Sequence, residues 1–182
     1  MAEFIQKHKL FSFYSALMIV VVLIAIFAPW LAPGDAFSSN LSQALQAPSS
    51  QHWFGTDKLG RDVLSRIIYG TQLSLFMGVS IVVIMVSIGT IIGAVAGYFG
   101  GKIEMVLMRL ADIMLSFPGV VLAIAIAGIL GGSIVNTIIA LSVVGWAKYA
   151  RLVRSMTLKV RGAIFNLWSD SLRDVVDPKN QG

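Results

Sequence analysis

The chain contains no cysteine, and only 13% of its 182 residues are charged. The absence of cysteine excludes disulfides, thiolate nucleophiles and cysteine-ligated metal sites. The two histidines, His8 and His52, lie far apart and lack the spacing of a metal-binding motif. No GxxxxGK[ST] phosphate loop, HExxH motif or supported Ser/His/Asp arrangement is present. We therefore predict no metal, no cofactor and no enzymatic activity.

Apolar residues are abundant instead, at 57% of the chain. They form three long runs without Asp, Glu, Lys or Arg, at residues 10–34, 67–101 and 113–147. A helix needs roughly 20 apolar residues to cross a bilayer core. The first run is longer than the apolar core of a cleaved signal peptide, about 7–15 residues, and this favours an uncleaved span. The third run breaks at residues 131–133 and predicts two spans, the second at residues 134–149. The fold class is therefore an all-α membrane protein with about four transmembrane helices.

Small residues recur every four positions in two of the predicted spans. The first stripe is Gly89, Gly93 and Gly97, and the second is Gly119, Ala123, Ala127 and Gly131. Such stripes allow two helices to approach closely in a membrane. We expect the third span to pack on a neighbour, with the glycine stripe of the second span as the candidate. Pro118 near the start of the third span predicts a kink, because proline removes a helix hydrogen bond.

Basic residues flank the predicted spans on one side. Lys148, Arg151 and Arg154 follow the fourth span and share one helix face, with Lys159 and Arg161 after them. Lys102 and Arg109 lie between the second and third spans, and Lys7 and Lys9 precede the first. By the positive-inside rule, both termini are expected in the cytoplasm. We interpret the helix face that carries Lys148 as a cytoplasmic anchor. This face is expected either to contact anionic lipid or to lead into a segment that docks a cytoplasmic partner. This placement argues against nucleic-acid binding.

Shorter segments suggest further contacts. Arg109 and Asp112 are three apart and are expected to pair on one helix face. Asn136 inside the fourth span is expected to form an interhelical hydrogen bond. Residues 53–66 have helical apolar spacing and predict an amphipathic lead-in near the membrane interface. The tail, residues 162–182, contains too few consecutive apolar residues to cross the membrane. It is expected to lie on the membrane face or to dock on the bundle, with Pro178 ending its helix.

Several of these segments resemble the inner-membrane permease subunits of ABC importers. WLAP, FGTDKLGRDVLSRIIYGTQLSL, GAVAGYFGGKIEMVLMRLADIMLSFPGVVLAI and ARLVRS occur in that order. The resemblance is to the dipeptide, oligopeptide and nickel branch, to the second of its two permeases. The positions that match the family signature are Phe54, Gly55, Thr56, Asp57, Gly60, Arg61 and Asp62. The resemblance implies a bundle that pairs with a sister permease, two ATP-binding subunits and an external solute-binding protein in the bacterial inner membrane.

One departure from the family pattern follows ARLVRS. The resemblance implies an EAA-x-x-x-G coupling loop and further spans there, but the chain continues from LKVR into GAIFNLWSDSLRDVVDPKN, which resembles the C-terminus of the family. We expect an internal deletion near Arg161 that impairs the coupling of the permease to ATP hydrolysis. The predicted organisation is an N-terminal span with an external loop (1–52), a partial permease core (53–161) and a cytoplasmic tail (162–182). The alternative function is a non-transporting membrane remnant or accessory subunit.

Overall fold

The computed structural model describes residues 9–176, with side chains as far as residue 168. In this part of the chain the helices are α1 (Lys9–Ile26), α2 (Ala28–Leu31), α3 (Val63–Phe99), α4 (Gly101–Ser116), α5 (Gly119–Leu130) and α6 (Ile134–Val176), with a 3-10 turn at Leu41–Gln43. The described residues contain no strand, only one isolated bridge between Thr56 and Asp62. The prediction of an all-α membrane protein is confirmed. Lys7, His8 and Pro178 lie outside the described residues.

The number of membrane spans differs from the sequence prediction. Within residues 9–176, two helices are long and apolar enough to cross a membrane, Lys9–Ile26 and Val63–Phe99. A third is counted if Gly101–Ser116 and Gly119–Leu130 form one bent span. The predicted fourth span, residues 134–149, is helical within α6. Its uncharged stretch ends at Ala147, however, short of the roughly 20 residues that a span requires. The predicted count of four is therefore corrected to two or three by length and composition.

The chain divides into two compact units, Met1–Gly78 and Val79–Gly182. In the first unit, α1 ends at Ile26, and the short α2 follows with a proline in its first turn. The segment that precedes α3 is not the separate amphipathic helix expected for residues 53–66. Residues 53–62 form turns, and the helical apolar spacing belongs to the first turns of α3, which begins at Val63.

In the second unit, α4 and α5 meet at a break of 90°. Phe117 between them is extended, with φ −89° and ψ 146°, and Pro118 precedes the first residue of α5. The residue before a proline is driven out of the helical region, so the predicted kink is confirmed as a sharp bend. Both α4 and α5 pack on α6. The helix α6 runs without interruption through Arg161 and Gly162, and Ile164, Phe165 and Trp168 in its distal part are exposed.

Candidate functional site

The loop between α2 and α3, residues 32–62, carries all seven signature residues and is called the signature loop. Asp57 closes its final turn. Oδ1 of Asp57 accepts the backbone N–H groups of Leu59 at 2.8 Å and Arg61 at 3.0 Å, and Oδ2 accepts Nε–H of Arg61 at 2.9 Å. Arg66, from the first turns of α3, donates to the same Oδ2. The Asp57 carboxylate therefore joins the turn to the helix that follows it.

Gly60 is required in this turn for two reasons. Its backbone φ is +74°, a conformation that residues other than glycine rarely adopt. An added Cβ would also collide with the backbone carbonyl of Asn40, which lies on the opposite side of the signature loop. The N–H of Asn40 in turn donates to the carbonyl of Leu59 at 2.9 Å. Asp57, Gly60 and Arg61 thus belong to one folded turn held against the first part of the loop.

Asp62 caps the N-terminus of α3 and is only 2% exposed. Its Oδ2 accepts the backbone N–H of Ser65 at 2.8 Å and the Ser65 hydroxyl at 2.7 Å. Its Oδ1 lies 3.1 Å from Nδ1 of His52. Gly34 donates its N–H to Oγ of Ser65 at 2.9 Å, which brings the start of the loop to the same point. An acidic N-cap is favourable because it satisfies free N–H groups and the positive end of the helix dipole.

Both carboxylates are held in the ionised form. Burial would raise the pKa of Asp57, but hydrogen bonds from the backbone and side chain of Arg61 and the backbone of Leu59, with the Arg61 charge, hold it well below its usual value of 3.8. Burial would likewise raise the pKa of Asp62. The hydrogen bonds from Ser65 and His52 outweigh it and lower that pKa. Charge-assisted hydrogen bonds to the ionised form account for both shifts.

Thr56 ties the middle of the loop together and is 7% exposed. Its N–H donates to the carbonyl of Gln46 at 3.1 Å, its Oγ1 accepts the N–H of Gln46 at 2.8 Å, and its hydroxyl donates to the carbonyl of Gln43. Gly55 beside it accepts the N–H of Val63 at 3.1 Å. Phe54, by contrast, is 56% exposed. Of the seven signature residues, Phe54 alone projects its side chain away from the loop.

The glycine stripe of α3 lies against α6. A Cβ added at Gly89 would lie 2.5 Å from Cβ of Tyr149, and one added at Gly97 would lie 2.7 Å from Cβ of Thr157. At Gly93 it would meet the carbonyl of Ala150. Sequence reasoning named the third span as the neighbour of this stripe, and the structure places α6 there instead. The second stripe begins beside α6 as well, since a Cβ added at Gly119 would lie 3.3 Å from Cγ1 of Val144. Ala123 is buried and Ala127 is half-buried.

Two ion pairs join α4 to α6. Nε of Arg154 donates to Oε1 of Glu104 at 2.7 Å, and Arg151 donates to Asp112. The expected pair between Arg109 and Asp112 is therefore wrong, because Asp112 reaches across to α6. Lys148, the third residue of the predicted anchor, forms no ion pair with any side chain that the structure describes; it lines a cavity that also touches α3, α4 and α5.

Asn136 connects α5 to α6, as expected for an interhelical hydrogen bond. Its Nδ2 donates to the carbonyls of Leu130 at 2.6 Å and Gly131 at 3.0 Å, which the end of α5 leaves without a helical partner. Sequence reasoning missed Ser65, His52 and Glu104. The Asp62-Val-Leu-Ser65 spacing directly before an apolar run is a helix-start pattern that could have identified Ser65. No local signal pairs His52 with Asp62.

Residues 89–172 match the sequence model of the binding-protein-dependent transport system inner membrane component, and residues 5–48 match that of the N-terminal transmembrane domain of oligopeptide transport permease C. Together these matches cover more than half of the chain. The chain belongs to the family of binding-protein-dependent inner-membrane permeases. Residues 32–48 of the signature loop lie within the first match, and residues 49–62 lie between the two matches.

Individual permeases are also similar to this chain. It is 45% identical over 157 residues to the dipeptide transport system permease protein of Alkalihalophilus pseudofirmus, covering 86% of this chain and 52% of that protein. It is 41% identical to the probable D,D-dipeptide transport system permease protein of Escherichia coli K12, covering 81% and 49%. A glutathione transport system permease protein of Shigella sonnei is 44% identical, with the same coverage. The chain spans about half the length of these relatives.

Proposed function

We propose that this permease is a non-enzymatic transmembrane subunit of an importer that moves small peptides across the bacterial inner membrane. The observation that carries the proposal is the pair of family matches, at residues 5–48 and 89–172. The names of the similar permeases refer to dipeptides, D,D-dipeptides and glutathione, all of them small peptides. This favours a peptide over nickel as the substrate, although both fit the resemblance in the sequence.

The importer would contain a sister permease, two ATP-binding subunits and an external solute-binding protein. We infer that both termini face the cytoplasm and that the signature loop faces outward. The support is the clustering of basic residues on α4 and on the middle of α6, which the Glu104–Arg154 and Asp112–Arg151 pairs hold side by side.

The test is reconstitution of the chain with its sister permease, ATP-binding subunits and binding protein in proteoliposomes. Uptake of a labelled dipeptide, a labelled tripeptide and Ni²⁺ is compared, together with ATP turnover. Because the EAA-x-x-x-G coupling loop that the resemblance implies is missing after ARLVRS, we expect weak peptide uptake and weak peptide-stimulated ATP turnover. Both should disappear when this chain is omitted. Uptake of Ni²⁺ alone would overturn the substrate assignment, and peptide uptake that does not depend on this chain would overturn the function.

A second candidate function is a non-transporting accessory subunit that pairs with the sister permease. The observation that favours it is the unbroken helix Ile134–Val176, which occupies the place where the resemblance implies an EAA-x-x-x-G coupling loop. Co-purification with the sister permease without uptake or stimulated ATP turnover would support this candidate. Substrate-stimulated turnover in the same complex would exclude it.

A further inference from the structure

A cavity of about 510 Å³ lies within the second unit, among α3, α4, α5 and α6. Its walls are apolar and include two flexible methionine side chains. The lining of the cavity includes Met85, Met114, Phe117, Val144, Lys148 and Tyr149. Binding sites for small organic ligands have volumes of about 300–1,000 Å³ and mostly apolar linings with few polar groups. The cavity therefore has the size and lining of a site for an elongated apolar group.

The polar side chains in the lining of the cavity are those of Lys148 and Tyr149. The two acidic residues of α4 are already paired, Glu104 with Arg154 and Asp112 with Arg151. Among the side chains of residues 9–168, none forms an ion pair with Lys148. Lys148 thus adds a positive charge, without an ionic partner among these side chains, to the lining of an apolar chamber. The stem of a lysine packs along apolar surface while its ammonium group stays in a polar environment.

An apolar chamber with one cation in its lining is complementary to an anionic amphiphile. We propose that this cavity binds an acyl chain of an anionic phospholipid whose phosphate contacts Lys148. A soluble anion would gain nothing from the apolar walls. A zwitterionic lipid would bring its own ammonium group close to Lys148, which opposes binding through repulsion between like charges. The site is separate from the transport function proposed above and would exist in either candidate function.

The proposal is tested by native mass spectrometry of the purified chain in detergent, titrated with phosphatidylglycerol or with phosphatidylcholine. The test variant is Lys148→Gln and the matched control is Lys159→Gln, which removes the same charge from an exposed position on the same helix. One basic residue near an anionic surface contributes about 1 kcal/mol, so we expect Lys148→Gln to weaken phosphatidylglycerol binding about fivefold. Lys159→Gln and the phosphatidylcholine titrations should change little.

A second variant tests the apolar part of the site. Val144→Phe places a larger side chain in the cavity wall, leaves Lys148 in place and should weaken phosphatidylglycerol binding. Added inorganic phosphate should not displace the lipid. Equal affinity of the unaltered chain for the two lipids, equal losses in Lys148→Gln and Lys159→Gln, or displacement by inorganic phosphate would each overturn the proposal. Lys148→Gln replaces an exposed side chain with a neutral polar one, so it tests the proposal even if Val144→Phe fails to fold.

Discussion

Nδ1 of His52 lies 3.1 Å from Oδ1 of Asp62, and this contact joins the middle of the signature loop to the first turn of α3. The other oxygen of Asp62 is occupied by Ser65, whose hydroxyl also accepts the N–H of Gly34. Three separate parts of the loop therefore meet at one buried carboxylate. The polar signature residues form hydrogen bonds with other residues of the loop and with Ser65 and Arg66 of α3, and these contacts hold the loop against the start of that helix.

Removing the Asp62 carboxylate should destabilise the loop. Asp62→Ala deletes the N-cap of α3 and leaves Ser65 and His52 without their acceptor. We expect the free energy of unfolding to fall by about 2 kcal/mol. The measurement is thermal unfolding in detergent, followed by tryptophan fluorescence. Lys58→Ala, an exposed position in the same loop, is the matched control and should have almost no effect. Equal melting temperatures for the two variants would contradict the capping role.

The same carboxylates predict how the loop responds to acid. The pKa values of Asp57 and Asp62 in the folded chain are lowered below the usual 3.8. Groups of this kind stabilise the fold fully above their unfolded pKa, and the contribution is lost as pH falls through the folded value. Resistance of the loop to limited proteolysis should therefore be constant from neutral pH to about pH 5, and should decline below 3.8.

Pepsin gives the measurement in the acid range, and a protease that is active near neutral pH gives it in the upper part of the range. The double variant Asp57→Asn, Asp62→Asn should be cut readily at every pH at which pepsin is active, since it has lost both ionised acceptors. Asp35→Asn is the comparison within the same loop. Ser38 and the backbone of Phe37 lower the pKa of Asp35 to about 2, and its carboxylate accepts these hydrogen bonds within one local exposed turn. A flat pH profile in the unaltered chain would rule out a role for the two carboxylates.

The contact between α3 and α6 should be sensitive to a single methyl group. Gly93→Ala would press Cβ against the carbonyl of Ala150 and to 2.9 Å from Cβ of Val153. Overpacking of this kind costs about 1–3 kcal/mol. Gly78→Ala is the matched control in the same helix, because a Cβ there meets no atom within 4 Å. We expect a lower melting temperature in detergent for Gly93→Ala alone, and similar values for both variants would show that the stripe is not a close contact.

The sequence was sufficient to predict features that depend on local chemistry. The charge-free run over residues 67–101 predicts α3, and Pro118 predicts the bend, because both follow from the chain next to them. The partner of the glycine stripe was not predictable, since Gly93 would fit equally well against any helix with small residues. The same limit applies to Asp112: Arg109 is near in sequence, but the geometry of α4 and α6 brings Arg151 to it instead.

The signature loop shows this limit most clearly. The motif could be recognised, and the spacing of Asp62 and Ser65 carries a capping pattern, but the contact with His52 depends on how the loop closes. The predicted number of membrane spans is wrong for a different reason. The break after Leu130 was located correctly. The charge-free part of the helix beyond it is too short to cross a membrane, because Lys148 directly follows Ala147. A count of apolar runs therefore overestimates spans where a helix continues into a basic segment.

The two ion pairs between α4 and α6 should differ in strength. Arg154 and Glu104 are 35% and 21% exposed, whereas Arg151 and Asp112 are 52% and 51% exposed. Water screens an exposed pair, so Asp112→Asn should cost less than about 1 kcal/mol. Glu104→Gln leaves a partly buried arginine without its counter-charge and should cost about 2 kcal/mol. Thermal unfolding of both variants in the same detergent gives the comparison.

The exchange variant Glu104→Arg, Arg154→Glu completes this test. If the pair acts through its charges, the exchange should recover part of the stability that Glu104→Arg alone removes, because opposite charges again face each other across α4 and α6. Asp112→Asn and Glu104→Gln should each lower the melting temperature relative to the unaltered chain. High salt should reduce this loss more for Asp112→Asn than for Glu104→Gln, because the more exposed ion pair is screened more strongly. A larger loss for Asp112→Asn than for Glu104→Gln would show that exposure does not rank these pairs.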